Sequence, residues 1–319
     1  MTEAFAAARF IKEIGRGKKG ARSLSRADAS MLYEAMLDGR VSDLELGGIM
    51  LAMRIKGESV EEIAGFLEAA HGSFLPLDAP AGEYAPIVIP SYNGSRQMAN
   101  LTPLLACLLA RAGAPVLLHG VSTDPGRVTT AEILQAMGHA PAFNNAGAMR
   151  LWFEGKPAFM PVEALVPKMA RLLAMRRILG VRNSTHTLVK LLQPFTRPAL
   201  RLNSYTHPEY LAMLGDYFST LAPSDQGDVF LMRGTEGETV ANVRRAQRIT
   251  WFHDGQSTVL VEREEPSDEA PILPAADADA TAAWIAAVLR GEHAVPPAIE
   301  EQVQHCLQVA RQLRAKGHA

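Results

Sequence analysis

The sequence predicts an α/β protein in two parts: a small all-helical domain, then a larger α/β domain with a central, mostly parallel sheet. Three observations carry that expectation. Helix caps recur before residue 75, a cluster of prolines follows them, and beyond the prolines short apolar runs alternate with helical stretches.

The helical part is announced by its starts. Ser25 with Asp28, Ser42 with Glu45 and Ser59 with Glu62 each set a hydroxyl three residues ahead of a carboxylate, the spacing of an N-cap and its returning acid. Apolar residues then recur at helical spacing, as in Ile63, Phe66, Leu67 and Ala70, and Gly39, Gly57 and Gly72 stop the three helices. A further helix from Glu3 to Ile14, carrying Phe5, Phe10, Ile11 and Ile14, completes a helical unit over residues 1–78. Pro76, Pro80, Gly82 and Pro86 mark its end.

Beyond that boundary Ile87 to Ile89, Val116 to His119, Ala199 to Leu202, Val229 to Met232 and Ile249 to His253 read as strands. Helices at Leu101 to Ala112, Thr130 to Met137 and Pro208 to Leu221 separate several of them. Pro167 to Leu192 is helical and basic. Glu264 to Asp279, acidic and rich in Pro and Ala, reads as a loop before helices at Thr281 to Leu289 and Pro297 to Arg314. No internal repeat is visible.

Composition narrows the function classes. The chain has 319 residues, 48% hydrophobic and 21% charged, which is ordinary for a globular protein able to bury a core. Cys107 and Cys306 stand far apart, so neither a disulfide framework nor a thiolate metal site is indicated. The opening MTEAFAAARF lacks the apolar core of a signal peptide, and the apolar stretch Leu101 to Ala110 is too short to span a bilayer. A cytoplasmic protein without a membrane partner is expected. No Ser/His/Asp arrangement, zinc spacing or P-loop appears, so no catalytic residue, metal or cofactor is assigned.

The net charge of −2 hides an uneven distribution. Residues 1–30 carry seven Lys or Arg against three acids, whereas residues 261–280 carry Arg263 alone against seven acids. Lys12, Arg16, Lys18, Lys19 and Arg22 fall in a segment broken by Gly15, Gly17 and Gly20, where a mobile backbone lets charges settle against phosphates. Arg171, Arg176, Arg177, Arg182 and Lys190 form a second basic cluster. Each run is also readable as a solvated face, the N-terminal one more readily so when taken alone. With no recognition helix-turn-helix and no base-stacking motif, contacts to phosphate and not to bases are expected.

The first strand runs into Pro90-Ser91-Tyr92-Asn93-Gly94-Ser95, and here, with the helical segment Leu24 to Ala70 before it, the chain resembles the anthranilate phosphoribosyltransferases and their nucleoside phosphorylase relatives. The resemblance covers most of the chain and is strongest from Ile11 to Asn242. It implies that the helices of residues 165–195 return to the N-terminal unit, leaving 79–164 and 196–319 as the α/β domain. It also implies a degenerate substrate site at Ser91, Tyr92, Asn93, Gly94, Ser95 and His119. In those enzymes a GTGGD loop brings backbone N–H groups to a pyrophosphate, and Tyr92 and Asn93 stand where glycines would. The family's KHGNRS signature corresponds to Leu118-His119-Gly120-Val121-Ser122-Thr123, without its Lys, Asn and Arg. Its DGLDE signature supplies an Asp-Glu pair for magnesium; Thr239 and Val240 stand there instead, and valine offers no oxygen. Arg176 matches an arginine that contacts the aromatic acid.

The runs KEIGRGK, DLELGG, RIKGE, IVIPSYNG, ANLTPLLA, HGVS, GVRNS and GTEGE look like the YbiB-like branch of that family. That resemblance implies a homodimer joined through the helical domain that binds the phosphate backbone of DNA or RNA without sequence preference, through Lys12, Arg16, Lys18, Lys19, Arg22, Arg176, Arg177, Arg182 and Lys190. Two alternatives stay open: a transferase or phosphorylase acting on a small substrate, and a scaffold whose helical domain only dimerises.

Overall fold

The structure, a computed structural model, describes residues 5–17, 19–245, 247–263 and 271–316. Four helices come first: α1 (Ala8–Ile14), α2 (Arg26–Leu37), α3 (Asp43–Lys56) and α4 (Val60–His71). Their caps work as the spacing predicts. Ser25 accepts the Asp28 N–H, while Ser42 and Ser59 form complete capping boxes with Glu45 and Glu62. Each box satisfies N–H groups that a bare first turn leaves open. α1 is shorter than expected. It begins at Ala8 because the chain before it turns to pack: Phe5 stacks on Phe10 with ring centroids 5.5 Å apart and donates its N–H to the Arg40 carbonyl. Residues 3–4 of the expected helix lie outside the described residues.

Glu62 does more than cap. Fully buried, it accepts the Leu24 N–H at 2.9 Å and the Lys56 ammonium at 2.6 Å, which ties the end of α3 and the start of α4 to the chain entering α2. A buried carboxylate is tolerated here because it is paired and hydrogen-bonded.

The second part is a seven-stranded sheet in the order β3-β2-β1-β4-β5-β6-β7. Its chain order is β1 (Ile87–Ser91), α5 (Thr102–Arg111), β2 (Val116–Gly120), α6 (Thr130–Ala136), α7 (Asn145–Phe153) and β3 (Ala158–Pro161). Four helices follow, α8 (Val162–Leu165), α9 (Pro167–Ala174), α10 (Arg176–Leu179) and α11 (Thr185–Leu188). Then come β4 (Leu200–Tyr205), α12 (Pro208–Thr220), β5 (Val229–Arg233), β6 (Ile249–His253), β7 (Gln256–Val261), α13 (Ala278–Leu289) and α14 (Pro297–Lys316). The first five strands pair in parallel; β6 and β7 add an antiparallel edge. β1, β2 and β3 are buried throughout, as a parallel sheet covered on both faces requires. Alternate residues serve the two faces: Val88 and Leu117 join the core that runs into the helical bundle, while Ile87, Ile89 and Leu118 pack with residues of α5, α13 and α14.

Several elements differ from expectation. β3, α7 and β7 were not anticipated; β3 has four residues and ends in Pro161, too short to show a period. β6 is the expected strand but antiparallel, because Asp254 (φ 47°) and Gly255 (φ 71°) turn it straight back into β7. Pro167 to Leu192 is broken into α9, α10 and α11, with Gly180 at φ 74° ending α10. α9 nevertheless packs on α2 and α11 on α4. α13 starts at Ala278, earlier than expected, because Asp277 caps it by accepting the Ala280 N–H at 2.9 Å. Residues 264–270 of the expected acidic loop lie outside the described residues.

Among the described residues no helix is long and apolar enough to cross a membrane. The strand order reverses between β1 and β4, so the carboxyl ends of these two strands open a crevice at a topological switch point.

Candidate functional site

The turn after β1 stands at that switch point. Ser91 donates to Thr130 Oγ1 at 2.8 Å, and Ser95 exchanges both backbone hydrogen bonds with Val128. Gly94 has φ 64°, and a Cβ there would stand 2.7 Å from the Val128 carbonyl oxygen, so this one glycine is required by the backbone. Tyr92 Oη lies 2.8 Å from Nδ1 of His119, with the two rings edge to face. His119 is completely buried and its Nε2 has no partner among the described residues. Burial pushes its pKa down to about 3, so it is a neutral imidazole that holds Tyr92 in place.

The N–H groups of the turn are already occupied. Glu238 Oε1 accepts from Asn93 N at 2.9 Å and Gly94 N at 2.8 Å. Glu236 accepts from the N–H groups of Arg96 and Gln97. Asn93 completes the clasp, donating through Nδ2 to the Gly237 carbonyl at 2.7 Å and accepting from Arg182 Nη2 at 3.0 Å. The loop between Gly234 and Thr239 therefore sits on the turn.

Facing the turn is a cleft of about 570 Å³, walled on one side by residues of the α/β part and on the other by α9 to α11. Arg96, Arg176, Arg177, Arg182, His186 and Lys190 line it against Asp124 and Glu163. A smaller cavity of about 160 Å³ shares Arg182, His186 and Lys190 with it and adds Arg54, Tyr205, His207 and Tyr210, so the two form one groove.

The electrostatics of this groove are unusual. Among the described residues Arg96, Arg176, Arg177, Arg182 and Lys190 have no ion-pair partner, whereas Lys168, Arg290, Arg311 and Lys316 on other surfaces each have one. Burial lowers the Arg182 pKa, and the charges of Arg176, Arg127 and Arg54 lower it further. Lys190 is pushed down to about 8 by enclosure between the walls; Glu238 pulls the other way, while Arg182 and Arg127 add to the lowering. His186 falls to about 4, first by burial and then by Arg182. Asp124, Glu163 and, in the smaller cavity, Glu58 offset these charges only in part, and like charges that lower one another's pKa favour an anion.

Of the nine expected phosphate contacts, Arg176, Arg177, Arg182 and Lys190 meet at the groove. The N-terminal strip does not. Lys12, Arg16, Lys19 and Arg22 are exposed on and after α1, with Arg16 held 2.5 Å from Glu13, and Lys18 lies outside the described residues. The two strips flank α3. Ile11 of α1 approaches Gly48, and Leu179 of α10 approaches Gly47, two positions about 100° apart around the helix. Arg171 is spent on the carbonyls of Met36 and Leu37. Arg54, Arg96, Tyr205 and Tyr210, which line the groove, and Glu236 and Glu238, which hold the turn facing it, belong to the site without having been expected in these roles; they lie in five separate segments, and only the fold unites them.

Residues 8–73 match the glycosyl transferase family, helical bundle domain. The chain is 46% identical over 300 residues to the uncharacterized protein YbiB of Escherichia coli, covering 94% of this chain and 92% of that one. It is 30% identical over 287 residues to anthranilate phosphoribosyltransferase 2 of Ralstonia nicotianae, covering 88% of this chain and 80% of that one. The chain belongs to the anthranilate phosphoribosyltransferase-like superfamily. Solved structures agree in fold: the anthranilate phosphoribosyltransferases of Thermus thermophilus and Saccharomyces cerevisiae, the latter in complex with PRPP and Mg, each superpose with TM-score 0.70 over 97% of this chain and 90% of theirs. At 21% and 16% identity that likeness is one of fold.

Magnesium, which the superfamily implies, does not fit the residues present. Val240 is in the core and Thr239 is buried, so neither offers a carboxylate. Glu236 and Oε1 of Glu238 are committed to backbone N–H groups, leaving only the buried Glu238 Oε2 without a partner, and among the described residues no cluster of three or more His, Cys, Asp or Glu is placed to hold a metal.

Proposed function

We propose that this member of the superfamily binds the phosphate backbone of nucleic acid without sequence preference, as a cytoplasmic homodimer of the YbiB-like branch, and that its small-phosphate site is degenerate. The observation that carries the reading is the groove wall of Arg96, Arg176, Arg177, Arg182 and Lys190, all without ion pairs among the described residues. Cations that are unpaired and set along a groove suit a chain of phosphates, whose binding releases counterions and carries no base information. Tyr205 and Tyr210 at the inner end offer π-faces to any base. Lys12, Lys19 and Arg22, beyond α3, would extend the track.

Exposed side chains on α3 support the second copy. Leu44, Leu51 and Ile55 are exposed on one stripe of this helix, Leu44 by 88% and Ile55 by 73%, and Ile178 beside them by 77%. Such a stripe is self-complementary about a twofold axis. Its flanks carry the two basic strips, so pairing brings four strips to one assembly. Cys107 and Cys306, both free and buried, suit a reducing compartment.

The second reading is glycosyl or phosphoribosyl transfer to a small substrate in the groove, favoured by superfamily membership itself. One pair of measurements separates the two. Labelled random-sequence DNA and RNA are titrated across a salt series, and phosphoribosyl pyrophosphate with magnesium is tested for a melting shift and for consumption with anthranilate. Salt-dependent, sequence-indifferent binding with no magnesium-dependent shift supports the first reading; the reverse supports the second.

A further inference from the structure

Four backbone N–H groups of the turn after β1 converge on carboxylates that come from one loop. Consecutive N–H groups aimed at one point make an anion-binding concavity, and here the concavity is filled from within. Glu238 Oε1 takes Asn93 and Gly94, and Glu236 takes Arg96 and Gln97. The loop is shaped for this. Thr235 and Glu238 exchange both backbone hydrogen bonds at 3.0 Å, and the two residues between them, Glu236 at φ 51° and Gly237 at φ 93°, lie in the left-handed region, the signature of a type I′ turn. Glycine adopts that conformation freely; glutamate rarely does, so its presence there is set by what its carboxylate reaches. A Cβ at position 237 would stand 2.4 Å from Asn93 Nδ2, so only glycine lets the loop close this far. Glu238 is fully buried, and its Oε2 has no partner among the described residues. The N–H pair and the nearby Lys190 charge are what hold that carboxylate in place.

We propose that Glu238, assisted by Glu236, is the resident occupant of an oxyanion nest, and that removing its carboxylate converts the turn into a site for a small phosphate. Occupancy, and not the mere presence of Tyr92 and Asn93, is then what closes the nest. The inference does not rest on nucleic-acid binding, and its test uses none. Inorganic pyrophosphate is titrated by calorimetry into the full chain and into Glu238→Ala. The variant should bind at least about tenfold more tightly than the parent. Glu238→Gln keeps an acceptor oxygen of the same reach and should stay closed, like the parent. Equal gain in Glu238→Gln and Glu238→Ala would mean that lost charge and not vacated space admits the ligand, and the proposal fails. It fails too if folded Glu238→Ala gains nothing, or if the parent already binds as tightly. Should Glu238→Ala not fold, Glu236→Ala at the less buried end of the loop must show a smaller gain, and no gain there overturns the proposal equally.

Discussion

Glu238 and Asn93 are 145 positions apart in the chain, yet the carboxylate of one lies 2.9 Å from the backbone nitrogen of the other. Asn93 in turn accepts from Arg182 at 3.0 Å, so a single asparagine links the loop after β5, the turn after β1 and the basic wall of the opposite helices. The acid occupies the N–H groups of the turn that faces the groove, while among the described residues Arg96, Arg176, Arg177 and Arg182 on the groove wall have no ion-pair partner.

Charge reversal on the groove wall should weaken binding to every sequence alike. Four phosphates neutralised by Arg176, Arg177, Arg182 and Lys190 correspond to a log–log salt slope of roughly −4 on duplex DNA, and Arg176→Glu with Arg177→Glu should reduce its magnitude by about 2. Arg311→Glu with Arg314→Glu is the control, since Arg311 is paired with Glu83 and Arg314 donates to the Gly82 carbonyl. Fluorescence anisotropy across a salt series reads both. An equal loss in the control pair would show general electrostatics and no groove.

Lys12→Glu with Lys19→Glu tests whether the strip beyond α3 belongs to the same track. If the dimer joins the strips, this pair lowers the affinity for a long oligonucleotide much more than for a short one that only fills the groove, because contacts on one chain combine through effective concentration. Identical losses for both lengths would place these lysines outside the path.

Leu51→Asp with Ile55→Asp should give a monomer by light scattering with an unchanged far-ultraviolet circular dichroism spectrum. Ile55 is 73% exposed and Leu51 42% exposed on α3, so the substitutions remove little packing within the chain, and only at Leu51. They would bury charge only in a dimer. A variant that stays dimeric assigns the interface elsewhere.

Lys190 makes binding sensitive to alkali. Its pKa of about 8 means that it loses charge above that pH in the free protein, and a bound phosphate, favouring the charged form, raises the value. Affinity therefore falls as pH rises from 7 to 9, and Lys190→Arg, which keeps its charge, should abolish most of that fall. A parent and variant with parallel pH profiles would remove Lys190 from the contact.

How much of this was legible depends on distance along the chain. Ser25, Ser42 and Ser59 act within three residues, so their caps could be read directly and were found in place. The Asp254-Gly255 turn also carries a local signal, an Asp-Gly pair of the kind that joins two antiparallel strands, and it marks β7. The expected basic residues were identifiable by type, but which flank of α3 each strip takes is decided by Gly47 meeting Leu179 and Gly48 meeting Ile11. The loss of the Asp-Glu pair at Thr239 and Val240 was visible, whereas the new work of Glu236 and Glu238 was not. No pattern within the loop shows that a carboxylate will find N–H groups contributed by residues 93–97.

His119 should make the protein acid-sensitive, in a direction that follows from its pKa. An unfolded histidine protonates near pH 6.5, but in the folded protein burial holds the value down to about 3. Between these limits the unfolded state binds the extra proton, so stability is full above pH 6.5 and falls as pH drops through the window. From pH 7 to pH 5 the share of one such group is about 2 kcal/mol. His71 and His186, each lowered to about 4, act in the same direction, so the parent loses more than this single share. His119→Asn removes one share and leaves the other two. Whatever fixed penalty the substitution imposes through the lost Tyr92 bond, the gap between parent and variant should narrow by about 2 kcal/mol on going from pH 7 to pH 5. Urea unfolding at the two pH values measures that gap, and a gap that stays constant would mean that His119 is protonated in the folded protein and does not hold Tyr92 as a neutral acceptor or donor.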